Sequence, residues 1–284
     1  MSQFHQAPHT FVSDVTVNVE DIERSLSFYQ GLIGFKVLQQ ADREVRLSAD
    51  GQTPLLTLKQ PTDVEPKKPR TTGLYHMAML LPQRSDLAQV LHHLIDHRYP
   101  IEGGSDHLVS EALYLSDPDG NGIELYVDRS PDTWEWDGNR VKMTVDPLNE
   151  EQLLAETQGE LWSGLPAGTR MGHIHLHVSQ LDEAESFYVH GLGFQIVSEF
   201  KHALFLSTGG YHHHIAVNTW AGVGAPKPAE NSVGLHSFTI RYKSEESRDQ
   251  VLTQLDEIEA PIKQTAEGYL TEDPAGNRIV LKVV

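Results

Sequence analysis

A carboxylate in the middle of a β-strand needs a partner, and Glu124 is such a residue. It lies between Ile123 and Leu125 in a run, Leu113 to Asp128, that reads as strand, turn, strand. Leu113–Leu115 are apolar and aromatic, Asp117-Pro118-Asp119-Gly120-Asn121-Gly122 is dense turn chemistry, and Ile123–Val127 is β-prone again. A charge at that place faces water, a salt partner or a metal, because an unpaired carboxylate is costly to bury. The chain has 16 histidines. They include His76, the alternating run His173-Ile174-His175-Leu176-His177 and the triplet His212 to His214. It has no cysteine, so disulfides, thiolate nucleophiles and zinc-thiolate sites are excluded and any catalysis uses other groups.

The turn around Asp117 occurs twice. Tyr269-Leu270-Thr271-Glu272-Asp273-Pro274-Ala275-Gly276-Asn277-Arg278-Ile279-Val280-Leu281 repeats it at an offset of 156 (273 − 117), with Val280 in the place of Glu124. Turn and strands are therefore scaffold, and Glu124 is an addition to one copy.

The elements that must position these side chains follow from the hydrophobic pattern. From Phe11, Asp14-Val15-Thr16-Val17-Asn18-Val19 alternates as a strand. Asp21 caps a helix carrying Ile22, Leu26 and Phe28-Tyr29, which Gly31 or Gly34 ends. Two or three strands follow, at Phe35–Leu38, Glu44–Leu47 and Pro54–Leu58, so residues 11–60 form a β-α-β-β-β module. The Pro-rich segment 61–70 is a linker. A second module spans 73–128, with a helix from Ser85 to about His97 whose buried stripe is Leu87, Val90, Leu91 and Leu94. Residues 129–169, which contain the helix candidate Glu150–Thr157, read as a connector. A third module, 171–219, copies the first at an offset of 159: Asp14 falls on His173, Phe28-Tyr29 on Phe187-Tyr188, Gly34-Phe35 on Gly193-Phe194. After a second bridge, Gly222–Pro228, the fourth module, 233–284, copies the second.

The 284 residues carry 22 basic and 40 acidic side chains, a formal charge of −18. That argues against nucleic acid or an anionic membrane as a partner. Met1 to Thr10 has no basic start and apolar run, and no stretch approaches about 18 apolar residues, so a cytoplasmic location without a membrane partner is expected. The oligomeric state is open, and a homo-oligomer is compatible with the sequence.

Four such modules, with Asp21-Ile22-Glu23-Arg24-Ser25-Leu26-Ser27-Phe28-Tyr29, Gly191-Leu192-Gly193-Phe194 and Asp117-Pro118-Asp119-Gly120, resemble the vicinal oxygen chelate superfamily of glyoxalases, bleomycin resistance proteins and extradiol dioxygenases. Gly73-Leu74-Tyr75-His76, Gly172-His173-Ile174-His175-Leu176-His177-Val178 and Gly210-Tyr211-His212-His213-His214 look most like the bacterial catechol-2,3-dioxygenase branch. The resemblance implies an α+β fold in which paired modules curl into open cups around a metal.

The superfamily takes its ligands from the first and last strands of each module. Those positions hold Asp14 and no good ligand in the first module, His76 and Glu124 in the second, His173 and the histidine triplet in the third, and Ser237 and Val280 in the fourth. The resemblance thus implies one divalent metal held by His76, Glu124 and His173, Fe(II) foremost, with Mn(II) or Zn(II) as alternatives. Modules two and three then pair around it, and modules one and four form a metal-free cup. Taken singly, His76 reads as a core histidine, His173 as part of a polar sheet face with His175 and His177, and Glu124 as solvated; their joint occurrence favours the metal.

The family's acid/base histidine lies in a pattern that His213-His214-Ile215-Ala216 fits, whereas simple strand alternation selects His214. The choice between the two stays open here. Tyr114 resembles the family's tyrosine, which steadies an anionic intermediate, and His107 and His175 join His214 as expected groups around metal or substrate. The implied function is ring cleavage of a catechol or hydroquinone by dioxygen. The alternatives are a glyoxalase-like isomerase or lyase and a non-catalytic binding or resistance protein.

Overall fold

The computed structural model describes residues 3–157 and 159–284. Met1 and Ser2, in the stretch read for a targeting signal, and Gln158, in the connector, lie outside the described residues. Among those described, no helix is long and apolar enough to cross a membrane.

The first module comprises β1 (Phe11–Asn18), α1 (Ile22–Phe28), β2 (Lys36–Ala41), β3 (Glu44–Ser48) and β4 (Pro54–Lys59). The second comprises β5 (Gly73–Leu80), α2 (Arg84–Asp96), β6 (Gly103–Asp106), β7 (Ser110–Ser116) and β8 (Gly122–Asp128). The segment after it holds three two-residue strands, β9 (Trp136–Asp137), β10 (Arg140–Val141) and β11 (Asp146–Pro147), and α3 (Glu150–Leu154). The third set is β12 (Arg170–His177), α4 (Leu181–Glu185), β13 (Gln195–Phe200), β14 (Ala203–Ser207) and β15 (Ile215–Asn218). The last is β16 (Gly234–Tyr242), α5 (Glu245–Glu257), β17 (Ile262–Thr265), β18 (Gly268–Glu272) and β19 (Arg278–Val283).

The fold is α+β, with two curled mixed sheets. One runs β11-β6-β7-β8-β5-β12-β15-β14-β13 and joins strands of the second and third modules at the antiparallel seam β5–β12. The other runs β17-β18-β19-β16-β1-β4-β3-β2 and joins the fourth to the first at the antiparallel seam β1–β16. β1 packs on β12, and one continuous core links both sheets and the helices. The helical stripe Leu87, Val90, Leu91 and Leu94 of α2 is buried in it. Asp21 caps α1 by accepting from the Arg24 amide at 2.8 Å, which satisfies one of the donors that a helix start leaves unpaired.

The two repeated motifs meet in space. A single π-helical turn, Tyr29–Ile33, follows α1, and another, Ser186–Gly191, follows α4. They aim Tyr29 at Asp117, with Oη donating to Oδ2 at 2.7 Å, and Tyr188 at Asp273 at 2.9 Å. In both turns the same carboxylate also accepts from the backbone and side-chain nitrogens of the following asparagine, Asn121 or Asn277, at 2.8–2.9 Å. The Phe-Tyr of one module is thus latched onto the Asp-Pro turn of the next, and each latch ties one sheet to the other.

Tyr29→Phe removes the donor and leaves one oxygen of a buried carboxylate short of a partner. Urea unfolding should show a loss of about 1–3 kcal/mol, with no change in metal content because the latch lies outside the site described next.

Candidate metal centre

The seam β5–β12 places two histidines on one face. His76 pairs with His175, and His173 pairs with Ala78. On the far side of β5, Glu124 of β8 also pairs with Ala78, and Tyr114 of β7 pairs with Glu124. Cross-strand partners share a face, so His76, Ala78, Tyr114, Glu124, His173 and His175 all point the same way. Ala78 stands between two ligand-bearing strands, and its single methyl lets their side chains converge.

Register shifts between Met171 and His173 and between His175 and Leu176 leave Gly172 and Tyr75 as extra residues at the seam. Such bulges re-aim the side chains beside them. Space is made by glycine as well. A Cβ on Gly122 would collide with the Tyr75 carbonyl and crowd His76, and one on Gly172 would collide with the Tyr126 hydroxyl.

The result is a tight trio. Glu124 Oε2 lies 3.0 Å from His76 Nε2 and 3.1 Å from His173 Nε2, and the two imidazole nitrogens are 3.4 Å apart. Donors about 2.1 Å from a metal are about 3.0 Å apart at right angles and about 3.4 Å apart at the tetrahedral angle, so these separations fit one divalent cation. Among the described residues no other group of three or more His, Asp or Glu side chains brings its ligand atoms together in this way. All three residues are buried.

Burial alone raises the Glu124 carboxyl, but attraction to His173 and hydrogen bonding with His173 and His76 outweigh it and hold the group well below the usual carboxylate range. Burial pushes His173 down to about 4 against the pull of Glu124. The group is therefore a carboxylate with a neutral imidazole presenting a lone pair, which is the form in which these side chains bind a metal.

Around the trio lie His213, His175 and Tyr114. The His213 ring centroid is 4.0 Å from that of His173, and His175 is 4.9 Å from His76. Burial keeps both His213 and His175 well below the ordinary imidazole range, hence neutral. The Tyr114 phenol is raised well above its usual value by burial and by Glu124. His107 backs it: His107 Nδ1 is 2.7 Å from the Thr144 carbonyl, which can only accept, so Nδ1 carries the hydrogen and Nε2 accepts from the Tyr114 hydroxyl at 2.7 Å.

The triplet divides its roles in a way that alternation does not predict. Residues 211–214 are irregular backbone before β15, so the period of two does not apply to them. His213 faces the trio. His214 is turned to the opposite side, where its Nε2 donates to the Phe4 carbonyl at 3.1 Å and its Nδ1 accepts from Ser207 at 3.1 Å. His212 reaches back to Asp128, Nε2 to Oδ1 at 2.8 Å. Since the carboxylate accepts, Nε2 is the donor of His212, and its Nδ1 takes the hydrogen of His213 Nδ1 at 2.8 Å. That leaves Nε2 of His213 as its free lone pair.

Residues 10–125 and 170–281 match the Glyoxalase/Bleomycin resistance protein/Dioxygenase superfamily. The chain belongs to this superfamily. It is 44% identical over 289 residues to the catechol-2,3-dioxygenase of Bacillus subtilis (strain 168), with both proteins covered end to end. It is also 31% identical to the biphenyl-2,3-diol 1,2-dioxygenase 2 of Rhodococcus globerulus over 44% of this chain and 65% of that protein. Among solved structures, one from Bacillus subtilis subsp. subtilis str. 168 superposes with a TM-score of 0.66 at 12% identity over 96% of this chain and 84% of that one. The glyoxalase I of Zea mays superposes with a TM-score of 0.58 at 14% identity over 96% and 92%. These two likenesses bear on the fold alone.

In this superfamily member, the counterpart of the trio in the other sheet is the set Asp14, Ser237 and Val280. Asp14 and Val280 both pair with Thr239 there, as His173 and Glu124 pair with Ala78. The Thr239 hydroxyl donates to Asp14 at 2.9 Å, and Arg278 stands where the other sheet has Gly122, paired with Glu230 at 2.7 Å. Sequence reading gave no role at the site to Ala78, Gly122, Gly172 or Asp128, although the last three stand in the stretches it singled out. The contrast of Gly122 with Arg278 at the offset of 156 was a signal available for one of them.

Glu124→Ala should lower divalent-metal affinity by at least about 100-fold, the upper end of what losing a mere supporting group costs. Elemental analysis of the purified variant checks this. Circular dichroism should be unchanged, because the register position already holds Val280 in the other sheet.

Proposed function

We propose that this protein is a non-haem Fe(II)-dependent extradiol dioxygenase that opens the ring of a catechol- or hydroquinone-type aromatic with dioxygen. The observation that carries the reading is the convergence of His76, Glu124 and His173 at a cavity whose wall also presents His213 and Tyr114. Two imidazoles and one carboxylate are the donor set that suits non-haem Fe(II) and leaves neighbouring positions open. End-to-end similarity to a catechol-2,3-dioxygenase supports the same chemistry. Iron held by His76, Glu124 and His173 would supply Lewis acidity toward ring oxygens and electrons for dioxygen.

The chain's own groups handle position and protons. His76, Glu124 and His173 are held by strands, so the reactants meet in a fixed orientation. His213 Nε2, with its tautomer set through His212 and Asp128, takes the proton of a ring hydroxyl and later returns it to the developing product. The Tyr114 hydroxyl, which donates to His107 Nε2 in the resting site, turns its hydrogen toward the cavity when negative charge develops on a ring oxygen and steadies it by hydrogen bonding.

His213→Phe should keep metal and catechol binding while lowering kcat by about 10²–10⁴, the range typical of a lost proton-transfer group. Substitution of His214 should act through stability, since its nitrogens serve Phe4 and Ser207. Stopped-flow and metal analysis separate the two effects. Wild-type protein loaded anaerobically with Fe(II) should consume oxygen and form a yellow ring-opened product. Failure with every simple catechol would leave an isomerase or a binding protein as the better account.

A further inference from the structure

We infer that the substrate is an uncharged catechol carrying an alkyl or aryl substituent, and that the site rejects catechols bearing a carboxylate. This rests on the dioxygenase reading and adds the substrate class to it.

The cavity above the trio is about 430 Å³, inside the range of about 300–1,000 Å³ usual for small-ligand sites. Its floor is polar and its upper walls are apolar. One wall climbs from His213 to Phe205, with ring centroids 5.1 Å apart, and on to Phe200 at 5.3 Å. A second line of rings, joined to the first where His175 lies 5.8 Å from Phe205, climbs from His175 to Trp220 at 5.2 Å and on to Tyr75, again at 5.2 Å. The segment between the second and third modules adds Met143 and Val145 to the lining.

Two observations give these walls a meaning. Among the described residues, ten large hydrophobic side chains are exposed, and four of them, Tyr75, Val145, Phe200 and Trp220, gather at this one opening. Scattered exposed apolar residues are ordinary, whereas a cluster around a cavity marks a surface that a ligand covers. The lining also contains no lysine or arginine. Its acidic groups are Glu124 at the floor and Glu102 at the rim, the latter held by the Ser116 hydroxyl at 2.6 Å.

A substrate chelated at the floor points its substituent along these aromatic walls. An alkyl or aryl group there loses water and gains contact. A carboxylate there is stripped of water, finds no cation and meets the carboxylate of Glu102, which is the costly arrangement for a buried charge.

The test measures kcat/KM of Fe(II)-loaded protein with catechol, 4-ethylcatechol, 3-phenylcatechol and 3,4-dihydroxyphenylacetate. The expected result is that at least one apolar-substituted catechol equals or exceeds catechol, and that the carboxylate falls at least about tenfold below it. Trp220→Ala should lower kcat/KM for the preferred substituted catechol about tenfold more than for catechol itself. Val145→Lys should raise the ratio of carboxylated to alkyl substrate about tenfold. Equal or better turnover of the carboxylate by wild type, or ratios unmoved by both variants, overturns the inference while leaving the dioxygenase reading intact. Absence of cleavage with every compound, catechol included, overturns both.

Discussion

The structure depends on a buried carboxylate being matched. Glu124 sits in a strand deep in the sheet, where an uncompensated charge would cost several kcal/mol. Two imidazole nitrogens within 3.1 Å of one of its oxygens supply part of the match, and the spacing of the three atoms leaves room for a cation to supply the rest. Each surrounding irregularity serves that convergence. The register shifts at Gly172 and Tyr75 turn the histidines, Ala78 keeps the middle of the face low, and Gly122 lets β8 approach His76. Imidazole and carboxylate together at one point are stable only because rigid strands hold all three residues, and this is also what a metal site requires.

Duplication explains why the same scaffold appears twice with different contents. The two sheets share topology, seam geometry and the Tyr-Asp latches, since these belong to the folding unit. At the register positions of the trio they diverge. Val280 removes the carboxylate, Thr239 stands where the other sheet has Ala78 and bonds Asp14, and Arg278 brings a cation of its own. Asp14 there accepts from the hydroxyls of Ser13 and Thr239, and Arg278 is paired with Glu230. One copy retains structure and the other is free to carry chemistry.

Much of this was legible in the sequence, and for physical reasons. Strand period and turn chemistry are local, so the modules, the Asp-Pro turns and the odd position of Glu124 could be read directly, and the offsets of 156 and 159 aligned Glu124 and His173 with their counterparts. Where backbone regularity stops, so did the reading. His213 and His214 differ in direction because residues 211–214 are irregular, and a period-two rule has nothing to act on there. Met143 and Val145 reach the cavity from a segment that reads as a connector, because nothing local marks a loop side chain that packs over a distant strand. The tautomer chain from Asp128 through His212 joins residues 84 positions apart and is a property of three-dimensional packing alone.

The division between strands and loops has a consequence for how such a site changes. The trio, Ala78 and Tyr114 are fixed by sheet register, and a one-residue slip would turn every one of them to the wrong face. Phe200, Val145 and Trp220 stand instead at a strand end or in irregular segments, where substitution perturbs no ladder hydrogen bond. The donor geometry is therefore constrained by the whole sheet, while these three residues of the walls can vary one side chain at a time. A scaffold built this way can keep one chemistry at the floor and take up different ring substituents at the rim.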